Sequence, residues 1–287
     1  MPGFAETDRD GRTFYMKAFS IQAPNGTVAG IETGDGPPVV LIAGLGSTTR
    51  LWGNLPEVLG RDFHVIAIDN RGVGGSSEGK TFTFAGAAED LAAVLDDRGL
   101  DHAALLGASM GGVIALHTAI AHPGRIDRLV IASSAPRLTN YGRRILELIR
   151  DLLLYGPAER AGAALMTLAF SPSFHDRFAG FVDETERLYG PDEADVPGTL
   201  LQIEHLLGGW DLLEWLPSVT APSLVLYGDH DPVVCPDETK ELAAGLPSAE
   251  LVKVPGAAHS ILAEGGEAVL RRVTDFLARQ PESGRFV

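Results

Sequence analysis

Short apolar runs alternate with segments of helical spacing along most of the chain, and this alternation restricts the possible folds more than any other feature. Runs that are apolar on both faces fit strands buried on both sides, as in a parallel sheet covered by helices. The pattern therefore predicts an α/β fold with right-handed crossovers and a doubly wound sheet. The strand-like runs lie at residues 39–43, 64–69, 103–108, 129–133, 223–227 and 250–254, and the helical segments at 84–98, 111–121, 237–244 and 267–279.

Two segments depart from this alternation. The first segment, residues 12–33, contains two strand-like runs, 12–21 and 27–33. They flank the turn residues Pro24, Asn25 and Gly26, which predicts an antiparallel hairpin. The second segment, residues 136–217, is helical throughout, with helices predicted at 141–155, 158–170, 176–189 and 199–215.

An all-helical insert between two strands of such a sheet is expected on the side where ligands bind, which favours a lid. A structural extension with no gating role is the alternative. We therefore predict an α/β core domain of residues 1–135 and 218–287 and a helical cap of residues 136–217.

Composition argues against several classes of function. The chain has 23 Lys and Arg against 38 Asp and Glu, a net charge of −15 with histidine neutral, so binding to nucleic acid or to an anionic membrane is disfavoured. Cys235 is the single cysteine, which excludes an internal disulfide and a multi-cysteine metal site. The first residues lack the pattern of a signal peptide, so the expected location is the cytoplasm. We expect no metal and no cofactor.

The segment Gly107-Ala108-Ser109-Met110-Gly111 has the pattern G-x-S-x-G and lies between a predicted strand and a predicted helix. A serine at such a corner has a strained backbone, and small neighbours let the chain turn sharply. The serine would then lie at the helix N-terminus, where oriented N–H groups favour developing negative charge. Ser109 is therefore the candidate nucleophile. A chance turn in a chain with 34 glycines is the alternative.

A serine nucleophile needs a base, and the base needs an acid that orients it. Among eight histidines, His259 follows the strand-like residues 250–254 and precedes the last predicted helix, on the same rim as Ser109. Asp231 follows another predicted strand and lies 259 − 231 = 28 residues before this histidine. Asp229 is the second candidate for the acid, because aspartates also brace turns.

These residues and their surroundings resemble the α/β-hydrolase superfamily over residues 13–277. The chain order Ser, Asp, His is the order of that superfamily, and residues 44–46 (GLG) and 69–76 (DNRGVGGS) match its loops after the third and fourth strands. The resemblance implies the α/β-hydrolase fold, with a mostly parallel eight-stranded sheet, helices on both faces and a helical cap. It gives residues 69–76 a structural role. Within the superfamily, the chain is most similar to serine-dependent esterases and enol-lactonases that act on small molecules.

The implied reaction is hydrolysis of a small-molecule ester or lactone through an acyl-enzyme on Ser109. His259, aligned by Asp231, would accept the serine proton, and the backbone N–H groups of Leu45 and Met110 would bind the oxyanion. An aspartate stands in place of this serine in the haloalkane dehalogenases and epoxide hydrolases of the superfamily, so those reactions are disfavoured.

Three further residues bear on the site. Many relatives have His-Gly before the oxyanion loop, whereas this chain has Ala43, which raises the question of what braces the loop. Arg137 follows a predicted strand and is a candidate partner for a substrate carboxylate. Trp210 of the insert is a candidate contact for an apolar substrate group.

Other functions remain open at this level. The same three residues serve C–C bond hydrolysis, acyl transfer and peracid formation, and a non-catalytic binder could retain the fold. Residues 44–49 (GLGSTT) and Asp69 form a partial dinucleotide fingerprint in which Thr49 replaces the third glycine. The sequence specifies neither the natural substrate nor the oligomeric state.

Overall fold

The computed structural model describes residues 4–7, 13–76, 81–189 and 192–279. Within these ranges nine strands form one sheet in the order β1-β2-β3-β5-β4-β6-β7-β8-β9. The strands are β1 (Phe4–Thr7), β2 (Thr13–Ala23), β3 (Gly26–Thr33), β4 (Pro38–Ile42), β5 (His64–Ile68), β6 (Ala103–Ala108), β7 (Ile126–Ala132), β8 (Ser223–Gly228) and β9 (Ala249–Val254).

The described helices connect these strands and build the insert. Those of the strand connections are α1 (Leu55–Leu59), α2 (Phe84–Asp97), α3 (Met110–Ala121), α9 (Pro236–Gly245), α10 (Ile261–Glu264) and α11 (Gly266–Leu277). Those between β7 and β8 are α4 (Asn140–Tyr155), α5 (Ala158–Ala169), α6 (Pro172–Arg177), α7 (Ala179–Tyr189) and α8 (Val196–Gly208). In the described parts of the chain, none of these helices combines the length and the apolar character needed to cross a membrane.

The predicted α/β-hydrolase fold is confirmed. Strands β4 to β9 are parallel to one another. Strands β2 and β3 form the predicted antiparallel hairpin, with Ala23 opposite Gly26, and β3 pairs with β5 in antiparallel orientation. These eight strands form the predicted sheet. The ninth, β1, adds a short antiparallel edge beside β2 that the sequence analysis did not predict. Residue 12 of the predicted first strand lies outside the described residues.

Helices cover both faces of the sheet, as the two-sided burial of the strands requires. Along β4, Val40 and Ile42 belong to one apolar cluster and Val39 and Leu41 to another, because successive side chains of a strand point to opposite faces. The first cluster includes residues of α2, α3, α4 and α8. The second includes residues of α1, α10 and α11.

The insert is helical, but its helix boundaries differ from the predicted ones. The predicted helix 176–189 is two helices, α6 and α7, because the chain breaks at Phe178 (φ −130°, ψ 37°). The predicted helix 199–215 starts earlier, at Val196, since Pro197 in the first turn breaks no intrahelical bond. It ends at Gly208 because Gly209 has a φ of 90°. The division of the chain into core and cap stays a prediction.

Candidate active site

Ser109 lies at a sharp corner between β6 and α3, with φ 53° and ψ −119°. A left-handed φ in a non-glycine residue costs about 1–3 kcal/mol and persists only where the surroundings impose it. Here the Ser109 N–H donates to the carbonyl of Ala132 at 2.9 Å, and the Ser109 carbonyl accepts from the N–H of Gly112 at 2.9 Å. The corner is thus fixed from the neighbouring strand and from the following helix.

The two glycines of the G-x-S-x-G pattern are required by close packing. A Cβ at Gly111 would lie 2.0 Å from the carbonyl oxygen of Ile42, and a Cβ at Gly107 would lie 2.3 Å from the carbonyl oxygen of Gly111. Side chains at these positions would push α3 away from the sheet. The helix would then no longer start directly at Ser109.

His259 lies on the loop between β9 and α10, and its Nδ1 is 2.8 Å from Oδ2 of Asp231. Because a carboxylate only accepts, Nδ1 carries the proton and Nε2 is left as the acceptor. The Asp231 side chain is 1% exposed. Its other oxygen, Oδ1, accepts the N–H groups of Val233 at 2.8 Å and Val234 at 3.0 Å. The carboxylate is therefore fully satisfied and rigid.

Asp229, the second candidate for the acid, has other partners. Its Oδ1 accepts the N–H of Gly256 at 2.6 Å, and its Oδ2 is 3.5 Å from Nζ of Lys253. The hydrogen bond from Gly256 is the main cause that lowers the pKa of Asp229. The geometry thus pairs Asp231 with His259 and gives Asp229 the role of a turn brace.

Ser109 and His259 line one cavity of about 760 Å³ beneath the helical insert. Among the described residues that line it, Arg137 and Glu238 are the only acidic or basic ones apart from His259. The insert supplies a large apolar part of the wall, through Leu138, Ile145, Leu146, Ile149, Leu153, Leu165, Met166, Phe170, Phe181, Leu206 and Trp210.

The two predicted oxyanion donors belong to residues that line the same cavity. Met110 is the first residue of α3, so its N–H has no partner within the helix. Leu45 lies between Gly44 and Gly46 in the loop after β4. A Cβ at Gly44 would be only 3.9 Å from Oγ of Ser109, which places this loop beside the serine.

The loop after β4 is braced by two side-chain amides, which answers the question raised by Ala43. Asn70 Nδ2 donates to the carbonyl of Ala43 at 2.8 Å, and the N–H of Gly46 donates to Oε1 of Gln202 at 2.8 Å. Asn70 belongs to residues 69–76, for which a structural role was expected, whereas no role was predicted for Gln202. A signal for Gln202 was present, because this buried amide interrupts the apolar face of α8, between Thr199 and Leu206.

Arg137 and Trp210 both line the cavity, and their contacts to substrate stay predictions. The Arg137 guanidinium is paired with Glu241, at 3.1 Å from Nε and 3.2 Å from Nη2. A substrate carboxylate would have to compete with that ion pair. The Trp210 ring packs edge-on against Phe84, with 5.8 Å between centroids.

The partial dinucleotide fingerprint does not have the geometry of a phosphate site. The N–H of Gly46 is bound by Gln202, and that of Thr49 donates to Oδ1 of Asp69 at 2.7 Å. The other carboxylate oxygen of Asp69 accepts the N–H of Gly75 at 2.8 Å, so this aspartate ties two loops together. Two N–H groups that would face a phosphate are thus already bonded within the protein.

Comparison with known proteins identifies the family of this chain. A family model described as alpha/beta hydrolase fold matches residues 37–266. RutD of Serratia proteamaculans strain 568, a proposed carbamate hydrolase, is 29% identical over 238 residues, 82% of this chain and 88% of RutD. Esterase YbfF of Escherichia coli K12 is 29% identical over 246 residues, 84% of this chain and 92% of YbfF.

Among solved structures, the enol-lactonase from Burkholderia xenovorans LB400 superposes with a TM-score of 0.83. The match covers 91% of this chain and all of the enol-lactonase, at 23% identity, and shows a shared fold. The family model alone spans most of the chain. This chain therefore belongs to the alpha/beta hydrolase family.

Proposed function

We propose that this protein is a serine hydrolase that cleaves a small-molecule ester or lactone through an acyl-enzyme on Ser109. The observation that supports it most is the arrangement of His259, which is hydrogen-bonded to the buried Asp231 and shares a cavity with the strained Ser109. The names of the relatives RutD and YbfF support hydrolysis as the class of reaction.

In the acylation step, Ser109 Oγ attacks the carbonyl carbon of the substrate while Nε2 of His259 takes the hydroxyl proton. Asp231 keeps the imidazole in the tautomer that leaves Nε2 free, and it stabilises the imidazolium that forms. Negative charge moves to the carbonyl oxygen, where the N–H groups of Leu45 and Met110 can bind it.

Collapse of the tetrahedral intermediate breaks the C–O bond to the leaving group, which takes the proton from His259. A water molecule then attacks the acyl-enzyme, with His259 again acting as the base. The products are the acid and the free Ser109. For a lactone substrate, acid and alcohol remain parts of one molecule.

The composition of the cavity wall supports a neutral substrate with an apolar acyl or ring group. The cap side of the wall consists mainly of aliphatic and aromatic side chains. Arg137, a cation that lines the cavity, is already paired with Glu241. A volume of about 760 Å³ lies within the range of small-molecule sites, about 300–1,000 Å³. Acyl transfer, C–C bond hydrolysis and peracid formation use the same residues and are outcomes that a substrate panel separates.

The experiment that tests the proposal compares Ser109→Ala with wild type on a panel of p-nitrophenyl esters, lactones and a carbamate. Loss of a nucleophile of this kind typically reduces kcat by about 10³-fold or more. Ser223→Ala is the matched control, because Ser223 is fully buried at the opposite end of a strand from the site. Turnover by Ser109→Ala at the rate of wild type would refute the proposal.

A further inference from the structure

We infer that Ser133 and Ser134, two adjacent serines after β7, are positioning residues that hold His259 and Ser109 in the correct position relative to each other. The inference rests on the proposed function, since it concerns the geometry of the same site. It assigns a role to a serine pair that neither attacks the substrate nor moves a proton.

Each hydroxyl donates to the backbone of one reacting residue. Ser133 Oγ donates to the carbonyl oxygen of His259 at 2.8 Å, and Ser134 Oγ donates to the carbonyl oxygen of Ser109 at 2.9 Å. The two serines are 2% and 1% exposed. Two consecutive residues thus bind the nucleophile and the base, which are 150 positions apart in the chain (259 − 109).

The sheet topology explains why the base needs such a contact. Strand β7 neighbours β6, which leads to Ser109, but β8 separates it from β9, which leads to His259. The histidine loop must therefore pass over the end of β8. It does so at Gly228, where a Cβ would lie 2.3 Å from the carbonyl oxygens of both Ala257 and Ala258. Ser133 binds the carbonyl of His259, which lies beyond the point where the loop passes the end of β8.

The other contacts of the histidine loop leave the His259 carbonyl to Ser133. The N–H of Ala258 donates to Oε1 of Glu264 at 2.8 Å, and the N–H of Ser260 donates to the carbonyl of Ala169 at 2.7 Å. Ala169 belongs to the insert and Glu264 to α10. The loop is also joined to the residues after β8, through the N–H of Gly256 to Asp229 and Nδ1 of His259 to Asp231. Among these contacts, the hydrogen bond from Ser133 ties the loop to the end of β7, the strand beside the one that leads to Ser109.

The backbone of Ser133 is strained in the same way as that of Ser109. Among the described residues, these two are the only non-glycine residues with a positive φ, 49° and 53°. Glycine would adopt this conformation without strain, but it has no hydroxyl. Strain of this kind concentrates at functional sites. The hydrogen bond to the His259 carbonyl gives a reason why position 133 has a serine and not a glycine.

Ser134 is held from the other side. Its carbonyl oxygen accepts a hydrogen bond of 2.9 Å from Oγ1 of the buried Thr239 on α9. Its side chain lies against the first turn of α3, since a Cβ at Gly112 would be 2.7 Å from Oγ of Ser134. The hydroxyl is therefore confined to a position from which it binds the Ser109 carbonyl.

The expected effect of removing either hydroxyl is a loss of alignment between Ser109 Oγ and Nε2 of His259. A misplacement of about 1 Å can cost about 10²-fold in rate. We expect kcat to fall about 10- to 100-fold in Ser133→Gly and in Ser134→Ala. Both serines line the cavity, but their hydroxyls are bonded to backbone carbonyls of the protein, so KM should change less than twofold.

The test measures kcat, KM and the rate of inactivation by a serine-directed phosphonate for both variants and for Ser223→Ala. The control also removes a buried serine-to-carbonyl hydrogen bond, from Ser223 Oγ to Ala221 at 3.0 Å, but far from the site. It should keep kcat and the inactivation rate of wild type. Ser133→Gly relieves backbone strain while it removes the hydroxyl, so its activity should fall without a matching fall in Tm.

The inference is wrong if Ser133→Gly and Ser134→Ala keep kcat within twofold of wild type, or lose no more than Ser223→Ala. If the glycine variant does not fold, Ser133→Cys keeps the shape with a weaker donor, and wild-type kcat in that variant overturns the inference equally. An active Ser109→Ala would instead remove the proposed function. Failure of the positioning role and failure of the nucleophile are therefore distinguishable.

Discussion

Gln202, a fully buried residue of α8, joins the helical insert to the loop that carries a proposed oxyanion donor, through a 2.8 Å hydrogen bond from the N–H of Gly46. Its amide Nε2 donates to the carbonyl of Arg71 at 2.9 Å, so both ends of the side chain are satisfied. One side chain of the insert therefore positions two loops of the sheet edge. This contact explains how the loop around Leu45 is held although Ala43 precedes it.

Gln202→Leu should destabilise the protein by about 2–6 kcal/mol, because the partly buried N–H of Gly46 and the buried carbonyl of Arg71 lose their partner and each costs about 1–3 kcal/mol. It should also lower kcat, since the neighbouring N–H of Leu45 loses its support. Urea unfolding and ester hydrolysis measure the two effects. Gln22→Leu is the control, because Gln22 is exposed and its bond to Thr27 lies on the surface. Equal stability of the two variants would contradict this role.

Asp231→Asn should reduce kcat by about 10³- to 10⁴-fold, because an amide at this position favours the wrong tautomer of His259. Asp229→Asn should stay within a few-fold of wild type, since Asp229 binds Gly256 and Lys253 instead. Steady-state kinetics on one activated ester compare the two variants directly. A larger loss in Asp229→Asn would reverse the assignment.

Stability should fall as the pH decreases from 6.5 towards 4 because of His117. This imidazole stacks on Phe84 with 4.9 Å between ring centroids, and burial, with His205 nearby, lowers the pKa of His117 to about 4. The unfolded chain titrates near 6.5, so in this window it binds more protons than the folded protein, and acid favours unfolding.

The measurement for His117 is the free energy of unfolding at several pH values for wild type and His117→Leu. The free energy of unfolding of wild type should fall relative to that of His117→Leu as the pH drops from 6.5 towards 4. Above pH 7 the difference between the two proteins should be constant. A difference that does not vary with pH would show that His117 takes up its proton equally in both states.

Ile145→Trp should narrow the cavity and shorten the acyl chains that the protein accepts. Ile145 is partly buried on α4 and lines the cavity, whereas Leu148 on the same helix is 49% exposed and does not. We expect kcat/KM for an octanoate ester to fall at least about 10-fold, with little change for an acetate ester. Leu148→Trp should leave both unchanged. Equal losses of kcat/KM on both esters in Ile145→Trp would show that the acyl chain does not bind beside Ile145.

Periodicity predicted an α/β fold with a doubly wound sheet and the hairpin, and the resemblance to the α/β-hydrolase superfamily implied the eight-stranded sheet. The strands buried on both faces and the hairpin around residues 24–26 follow from local patterns, and the structure confirms them. The break at Phe178 was not predicted, because the nearest glycine, Gly180, lies two residues later, inside α7. The predicted helix began at residue 199, whereas α8 starts at Val196 and has Pro197 in its first turn.

The candidate site was predictable where it depends on strand ends. Ser109, Asp231 and His259 each follow a parallel strand, and the carboxyl ends of such strands meet at one edge of the sheet. The supporting hydrogen bonds were not predictable. Those of Gln202 and of Ser133 join residues 156 and 126 positions apart, and no local pattern specifies which backbone groups will meet.

The most direct test of the account is to locate the adduct that a fluorophosphonate forms with the protein, using intact-mass and peptide mass spectrometry. We expect one phosphonyl group per chain, on Ser109, with labelling abolished in Ser109→Ala and strongly slowed in His259→Ala. Labelling of a different serine, or continued ester hydrolysis by protein whose Ser109 is fully modified, would contradict the central claim.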